Sequence, residues 1–276
     1  MPCVDVDVLN CGSSGELSRN NDLSSDQLWE TIFSDIRQGK VLAIWFGTPC
    51  TTFSKAREVR PGPPPLRDLN HPYGFPKTRL RPDLFEQLRL GNFFALKTAE
   101  LATLAHQLGV PFAIENPEPW EGYMSMFKLP EFIRLAALPG VRITNFDQCT
   151  VGGHTAKPTR LLFFKLDLSP LCERCSHPKQ WWQYRDWKGK LQWRFSPHPP
   201  LVNCVGEDGR PATSAAAVYP KGLNQAIAQA LHSAVGASGT PDSERCAGDS
   251  GPDSVATPPT PSPALANPPA RDPSRP

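Results

Sequence analysis

The sequence has neither a long apolar run nor a large excess of one charge. Its 276 residues include 29 basic and 27 acidic side chains, which leaves a formal net charge of +2. No segment approaches the about 18 uninterrupted apolar residues of a membrane span, and the N-terminus lacks the basic and apolar regions of a signal peptide. We therefore predict an intracellular protein, nuclear if its source is eukaryotic, with no membrane partner. Any nucleic acid would have to bind a local basic groove.

A disulfide framework is not expected, because no secretion signal accompanies the eight cysteines. Each cysteine then needs its own explanation as a core residue, a metal ligand or a nucleophile. The chain also has 7 Trp, 4 Tyr and 14 Phe, which are sufficient for a substantial hydrophobic core.

Composition divides the chain into four parts. Residues 1–170 alternate helix-like and strand-like runs and form the predicted core. Residues 171–210 are rich in Cys, Trp and Lys without periodicity, which predicts a loop-rich insertion or a small subdomain similar to a target-recognition segment. Residues 211–236 contain a closing helix. Residues 237–276 have no aromatic side chain and many prolines, so we predict a disordered tail.

Helical and strand-like patterns alternate in the predicted core. Apolar spacing predicts helices at 26–36, 82–107 and 130–138, and short apolar runs predict strands at 41–46, 110–114, 141–146 and 160–166. Such alternation is typical of an α/β fold with a mostly parallel sheet.

Two predicted strands end in residues that packing does not readily explain. Cys50 follows the first strand in a Gly/Pro turn, and Glu115 directly follows the second. In open α/β sheets, sites gather at the carboxyl ends of strands, so neighbouring strands would place both residues in one pocket. A thiolate and a carboxylic acid together suit covalent attack on an electron-poor ring. A structural cysteine beside an ordinary Glu-Asn-Pro turn is the alternative.

Three segments resemble the motifs of one enzyme family. Gly47-Thr-Pro-Cys-Thr-Thr-Phe-Ser54 resembles the Pro-Cys motif of the cytosine-5 DNA methyltransferases, and Glu115-Asn-Pro117 resembles their Glu-Asn-Val motif. The region that ends in Lys157-Pro-Thr-Arg160 resembles their Gln-x-Arg-x-Arg region, in the form of phage-type or mobile-element-associated members. The resemblance covers residues 5–232 and implies a Rossmann-like S-adenosylmethionine-methyltransferase fold.

The resemblance also implies catalytic roles. Cys50 would add to C6 of a flipped-out cytosine in DNA, and Glu115 would hydrogen-bond the ring N3 and the exocyclic amine. Pro49 would shape the nucleophile loop, Asn116 would hold that loop or the base, and Arg160 matches the last arginine of the family motif. The base must be extruded because C5 and C6 are inaccessible while it is stacked.

Further residues would contact DNA or S-adenosylmethionine, the methyl donor that the resemblance implies. The expected nucleic-acid contacts are Ser54, Arg57, Lys157 and Thr159, and a basic stretch that includes Arg67 would form one wall of a groove. The expected cofactor contacts are Asp22 and Leu23 for the adenine and Asp5 or Asp7 for the ribose. The family's Phe-x-Gly-x-Gly cofactor loop has no match in this sequence. We therefore expect an N-terminally incomplete core that binds S-adenosylmethionine weakly or not at all.

The segment 171–210 contains two further candidate sites. Cys172, Cys175, His177 and Cys204, with His198 also nearby, form a weak zinc pattern, because only one Cys-x-x-Cys pair is present. Residues 179–190 interleave basic and aromatic side chains, which suits either a nucleic-acid surface or a small subdomain held together by its aromatic rings.

Three functions stay open from the sequence. The first is an S-adenosylmethionine-dependent DNA cytosine-5 methyltransferase, and the second is the same chemistry on RNA. The third is a catalytically inactive nucleic-acid-binding remnant of a mobile element.

Overall fold

A mixed four-stranded sheet forms the centre of the computed structural model, which describes residues 22–59, 62–206 and 209–237. Its strands are β1 (Ile44–Phe46), β2 (Phe112–Pro117), β3 (Val141–Asp147) and β4 (Pro158–Phe164), in the order β1-β2-β4-β3. The described helices are α1 (Asp26–Arg37), α2 (Pro82–Gln107), α3 (Pro130–Ala136), α4 (Ala212–Ala215) and α5 (Lys221–Ala237).

Local sequence explains the bounds of the longest helix. Pro82 occupies the first turn of α2, where its missing N–H costs no hydrogen bond. The helix ends before Gly109, which adopts a φ of 72° and donates its N–H to the carbonyl oxygen of His106. The sequence predicted these bounds because both signals are local.

Strand alternation divides the core between the two faces of the sheet. Phe112 and Ile114 of β2 belong to the cluster that α1, α2 and α3 cover. Ala113, between them, belongs to the second cluster, which Leu223 and Ile227 of α5 complete. The residue that follows Ile114 therefore faces α5.

The α/β class is confirmed, but the sheet is mixed where the sequence predicted a mostly parallel one. In the described residues, β1 and β2 pair in parallel, whereas β4 pairs antiparallel with both β2 and β3. The connection between β3 and β4 contains a short 3-10 turn, Gln148–Val151, in place of the crossover helix that parallel strands need.

A second, antiparallel sheet occupies much of the segment for which the sequence predicted loops. Its strands are β5 (Gln180–Asp186), β6 (Leu191–Ser196) and β7 (Cys204–Val205), in the order β6-β5-β7. The Asp186 carboxylate closes the β5–β6 turn by accepting the N–H groups of Lys188 and Lys190 at 3.0 and 2.9 Å. The sequence did not predict these strands because aromatic side chains lie on the exposed face, which hides the usual alternation of apolar and polar residues.

None of the described helices is long and apolar enough to cross a membrane. The segment 237–276, for which disorder was predicted, lies outside the described residues apart from Ala237.

Gly91 allows α2 to approach the segment that follows β1. A Cβ at this position would collide with the side chain of Thr52, whose hydroxyl accepts a hydrogen bond from Arg67 at 2.9 Å. Gly91→Ala should lower the free energy of unfolding by about 1–3 kcal/mol, because the overpacked contact outweighs the gain in helix propensity. Urea denaturation measures this change.

Gly236→Ala in α5 is the matched control, because a Cβ there meets no atom within 4 Å among the described residues. It should leave stability unchanged or raise it by up to about 1 kcal/mol. Equal effects of the two substitutions would contradict the close approach at Gly91.

Candidate active site

The parallel pairing of β1 and β2 brings the two sequence-predicted strand ends together. Phe46 lies opposite Ile114, so the turn that carries Cys50 and the residue Glu115 emerge at one edge of the sheet. A hydrogen bond joins the two segments, because the Asn116 side-chain amide donates to the backbone oxygen of Thr48 at 2.9 Å.

The Glu115 carboxyl group is buried and accepts one hydrogen bond from the described residues. Its Oε2 accepts the hydroxyl of Tyr219 at 2.9 Å, whereas Oε1 has no partner among the described residues. Burial raises the pKa of Glu115, and the charge of Lys157 and the Tyr219 hydrogen bond offset only part of this effect. Glu115 can therefore hold a proton at a higher pH than an exposed glutamate, as a general acid requires.

Cys50 is a half-buried thiol in the turn after β1. Its carbonyl oxygen accepts the N–H of Phe53 at 2.8 Å, which closes the turn. Burial raises the pKa of Cys50, the negative charge of Glu115 raises it further, and the positive charge of Lys157 lowers it. Two opposite charges thus act on the thiol, and Lys157 is the group that favours its reactive thiolate form.

Lys157 is held in a strained conformation. Its φ of 36° lies in the left-handed region, which costs a non-glycine residue about 1–3 kcal/mol. The fully buried Thr159 stabilises this conformation by donating its hydroxyl to the Lys157 carbonyl oxygen at 2.9 Å, and it accepts the Gln148 amide at 3.1 Å. Thr159 therefore positions Lys157, in contrast to the nucleic-acid contact expected from the sequence.

Tyr219 is a site residue that the sequence analysis did not identify. Its ring lies 5.6 Å from the Lys157 ammonium and contacts Trp45 edge-on at 6.2 Å. A Cβ on Gly47 would lie 3.2 Å from the Tyr219 hydroxyl, so the glycine leaves room for it. Only the tertiary fold brings Tyr219 beside Glu115, because 104 positions separate them in the chain.

Arg57 has a structural position that differs from the predicted nucleic-acid contact. Its buried guanidinium donates to the backbone oxygens of Thr51 and Pro64 at 2.8 and 3.1 Å and to the Gln87 side chain at 2.6 Å. Ser54 also orders this loop, since its hydroxyl accepts the N–H of Ala56 at 3.2 Å. Both residues stabilise the loop that carries Cys50.

Arg67 stabilises the same loop and does not form the wall of a basic groove. It is only 2% exposed and donates to the backbone oxygen and hydroxyl of Thr52 at 3.1 and 2.9 Å. Its guanidinium also lies 3.7 Å from the Phe53 ring centroid. Burial lowers the pKa of Arg67 to about 9. The sequence could not distinguish these arginines from solvent-exposed ones, because their partners depend on loop geometry.

The structure does not place Arg160 with Cys50 and Glu115. Arg160 pairs with Asn116 across the β2–β4 ladder, so strand alternation puts it on the opposite face of the sheet from Glu115. There it donates to Asn145 at 2.8 Å. Lys157, which does not match the family motif in register, is the cation near the pair. Pro49 is exposed in the turn before Cys50.

The predicted cofactor contacts are described only in part. Asp22 accepts the N–H of Ser24 at 2.9 Å, and the Leu23 carbonyl oxygen accepts the Trp29 indole N–H at 2.8 Å, so both order the start of α1. Asp5 and Asp7 lie outside the described residues.

Two of the four predicted metal-ligand candidates come together. Cys175 and His177 cluster with Cys149 and His198. The other two do not join them: Cys172 is exposed, and the Cys204 thiol donates to the Pro200 carbonyl oxygen at 2.8 Å.

Comparison of the chain with protein-family models, with curated proteins and with solved structures gave no match.

The opposite charges of Glu115 and Lys157 predict opposite effects on thiol reactivity. Glu115→Gln should speed alkylation of Cys50 by iodoacetamide at a given pH, because loss of the negative charge lowers the thiol pKa. Lys157→Met should slow alkylation for the converse reason. Peptide-resolved mass spectrometry as a function of pH separates Cys50 from the other cysteines.

Lys165→Met is the matched control, since Lys165 is an exposed lysine at the far end of β4 that also adopts a positive φ. It should leave the alkylation profile of Cys50 unchanged. If the alkylation rate of Cys50 changed equally in all three variants, the charges of Glu115 and Lys157 would not control the reactivity of the thiol.

Proposed function

We propose that this chain is a cytosine-5 methyltransferase that acts on DNA through covalent attack by Cys50. One observation supports this proposal above the others: the parallel pairing of β1 with β2 brings the turn that carries Cys50 to the same edge of the sheet as Glu115. Cys50 and Glu115 are also the residues whose motifs resemble those of the cytosine-5 DNA methyltransferases.

The proposed reaction begins when Cys50 loses its proton to solvent, a step that the charge of Lys157 favours. The thiolate Sγ forms a bond to C6 of a flipped-out cytosine, and the C5–C6 π pair shifts through the ring. N3 then takes a proton from Glu115, which leaves the adduct neutral and its C5 nucleophilic. The methyl group that S-adenosylmethionine would supply adds to C5, which leaves the donor as a neutral thioether. N3 then returns its proton to Glu115, solvent takes the C5 proton, and cleavage of the Sγ–C6 bond regenerates the thiolate.

One buried oxygen supports a ligand at this place. Glu115 Oε1 has no hydrogen-bond donor within the described ranges, and a buried acceptor without a partner costs about 1–3 kcal/mol. The exocyclic amine of a cytosine is a donor that Glu115 Oε1 lacks. Such unsatisfied groups are uncommon in folded proteins and are typical of binding sites.

S-adenosylmethionine is the proposed methyl donor and would supply the methyl group for C5. The residues present fit this cofactor only in part. The carboxylate of Asp22 is a polar acceptor at the start of α1, but the Leu23 carbonyl oxygen is already bonded to Trp29. We therefore propose weak binding or none by this chain, which isothermal titration calorimetry measures directly. A micromolar dissociation constant would contradict that part of the proposal.

The second sheet provides a surface for nucleic acid. Trp181, Trp193 and Phe195 share one face of the β5–β6 pair and are 65%, 61% and 53% exposed. Rings exposed to this extent on one sheet face are suited to stacking with unpaired bases. Lys188 and Lys190, in the adjoining turn, add positive charge that can bind phosphates.

Covalent trapping tests the catalytic proposal. The probe is a DNA duplex with 5-azacytosine at every cytosine, so that all sequence contexts are present. The ring nitrogen at position 5 makes C6 more electrophilic, so an adduct needs no methyl donor. The wild-type chain should form an adduct that survives denaturing electrophoresis. Cys50→Ser should abolish it, and Glu115→Gln should slow it by about 10²–10⁴-fold.

Cys172→Ser is the matched control, because Cys172 is an exposed thiol outside this site. It should form the adduct at the wild-type rate. No adduct, or an adduct that persists in Cys50→Ser, would contradict the proposal. An adduct only with the equivalent RNA would favour the RNA alternative, and DNA binding without any adduct would favour the non-catalytic one.

The exposed aromatic face yields a separate prediction. Trp181→Ala and Trp193→Ala should each weaken binding of a fluorescein-labelled single-stranded oligonucleotide by about 1–3 kcal/mol, because each removes a stacking surface. The slope of affinity against salt concentration should not change, since no charge is lost. Fluorescence anisotropy measures both quantities.

Ile133→Ala removes an apolar side chain of similar exposure, 57%, from α3 and is the control. Unchanged affinity in both tryptophan variants would show that the aromatic face does not contact nucleic acid.

A further inference from the structure

Four side chains in the region between the two sheets converge on one point. The ligand atoms of Cys149, Cys175, His177 and His198 all lie within 4.8 Å of one another. We propose that these residues, the Cys2His2 cluster, bind a structural Zn²⁺ ion. This inference does not depend on the proposed methyltransferase activity.

The spacing of the ligand atoms suits a tetrahedral ion. Cys175 Sγ lies 3.5 Å from His177 Nδ1 and 3.2 Å from His198 Nε2. Zinc bonds of about 2.3 Å to sulfur and 2.0–2.1 Å to nitrogen, in tetrahedral geometry, place ligand atoms about 3.3–3.8 Å apart. Small side-chain adjustments therefore bring all four atoms to bonding distance.

The donor types select the metal. Two thiolates and two imidazoles in a tetrahedral arrangement favour zinc over magnesium or calcium, which prefer oxygen ligands. Four protein ligands also leave no open position for water or substrate, which is typical of a structural site and not of a catalytic one.

The ligands come from three segments that are distant in sequence. Cys149 lies in the 3-10 turn after β3, Cys175 and His177 lie between β4 and β5, and His198 lies after β6. Chain geometry alone does not bring them together, so a shared ion is a physical reason for their convergence. An ion bound to all four ligands would connect the central sheet with the second sheet.

The protein already holds these segments in place through surrounding hydrogen bonds. Asp147 accepts the N–H of Cys175 at 2.8 Å and donates its own N–H to the Glu173 carbonyl oxygen at 3.0 Å. The Ser196 hydroxyl donates to the His198 carbonyl oxygen at 2.6 Å. Such outer contacts orient ligands and are a usual part of metal sites.

Zinc at this place would stabilise the candidate active site indirectly. Cys149 directly follows Gln148, whose amide donates to Thr159, and Thr159 holds the backbone of Lys157. The ion would also fix the exposed aromatic face of β5 and β6 relative to the central sheet. The predicted role of the ion is therefore to stabilise the candidate active site and the exposed aromatic face of β5 and β6.

Elemental analysis of the purified full chain, produced without a histidine tag, tests the proposal. We expect about one zinc ion per chain in the wild type. Cys149→Ser and His198→Ala should lose most of it. Cys172→Ser, close in sequence to Cys175 but outside the cluster, and His232→Ala, on α5, are controls that should keep it.

Cobalt titration of the wild-type chain after chelator treatment is a second test, which does not depend on whether a variant folds. Tetrahedral Co²⁺ with thiolate ligands should give visible absorption and a sulfur-to-metal charge-transfer band. A wild type with no zinc and no such band would overturn the proposal. Equal zinc loss in Cys172→Ser and Cys149→Ser would also overturn it, as would a Cys149–Cys175 disulfide found by peptide mass spectrometry of the non-reduced wild type.

Discussion

Glu115 lies within β2 with its carboxyl group away from water, and groups around it compensate for that. Burial disfavours its charge, and Tyr219 and Lys157 offset part of the cost. Gly47 has no side chain and leaves room for the Tyr219 hydroxyl, and Lys157 holds a left-handed backbone conformation. Strain is tolerated at such a position only where neighbouring contacts hold it, here those of Thr159.

The loop that carries Cys50 depends on a second group of buried charges. Arg57 and Arg67 satisfy its backbone oxygens from within, and Gly91 allows α2 to pack against it. Charged groups buried in this way are costly unless every donor has a partner, so they specify one loop conformation. Cys50 is therefore carried by a loop that buried contacts hold in place.

The proposed zinc site extends the same principle to the second sheet. That sheet has an exposed aromatic face, and many side chains of β5 and β6 are exposed, so it buries little apolar surface of its own. A metal bound between it and the end of β3 would supply stability that packing does not. The aromatic face could then stay available for a ligand without loss of order.

The sequence by itself determined the elements whose signals are local. The bounds of α2 follow from proline and glycine, and apolar runs indicate the strand before Cys50 and the strand that contains Glu115. The tertiary structure alone decided the antiparallel pairing of β3 and β4, the place of Tyr219 beside Glu115, the burial of Arg57 and Arg67, and the convergence of Cys149 with His198. Each of these depends on contacts between residues that are distant in the chain. Local propensity carries no information about such contacts, because they form only when the sheet order brings the segments together.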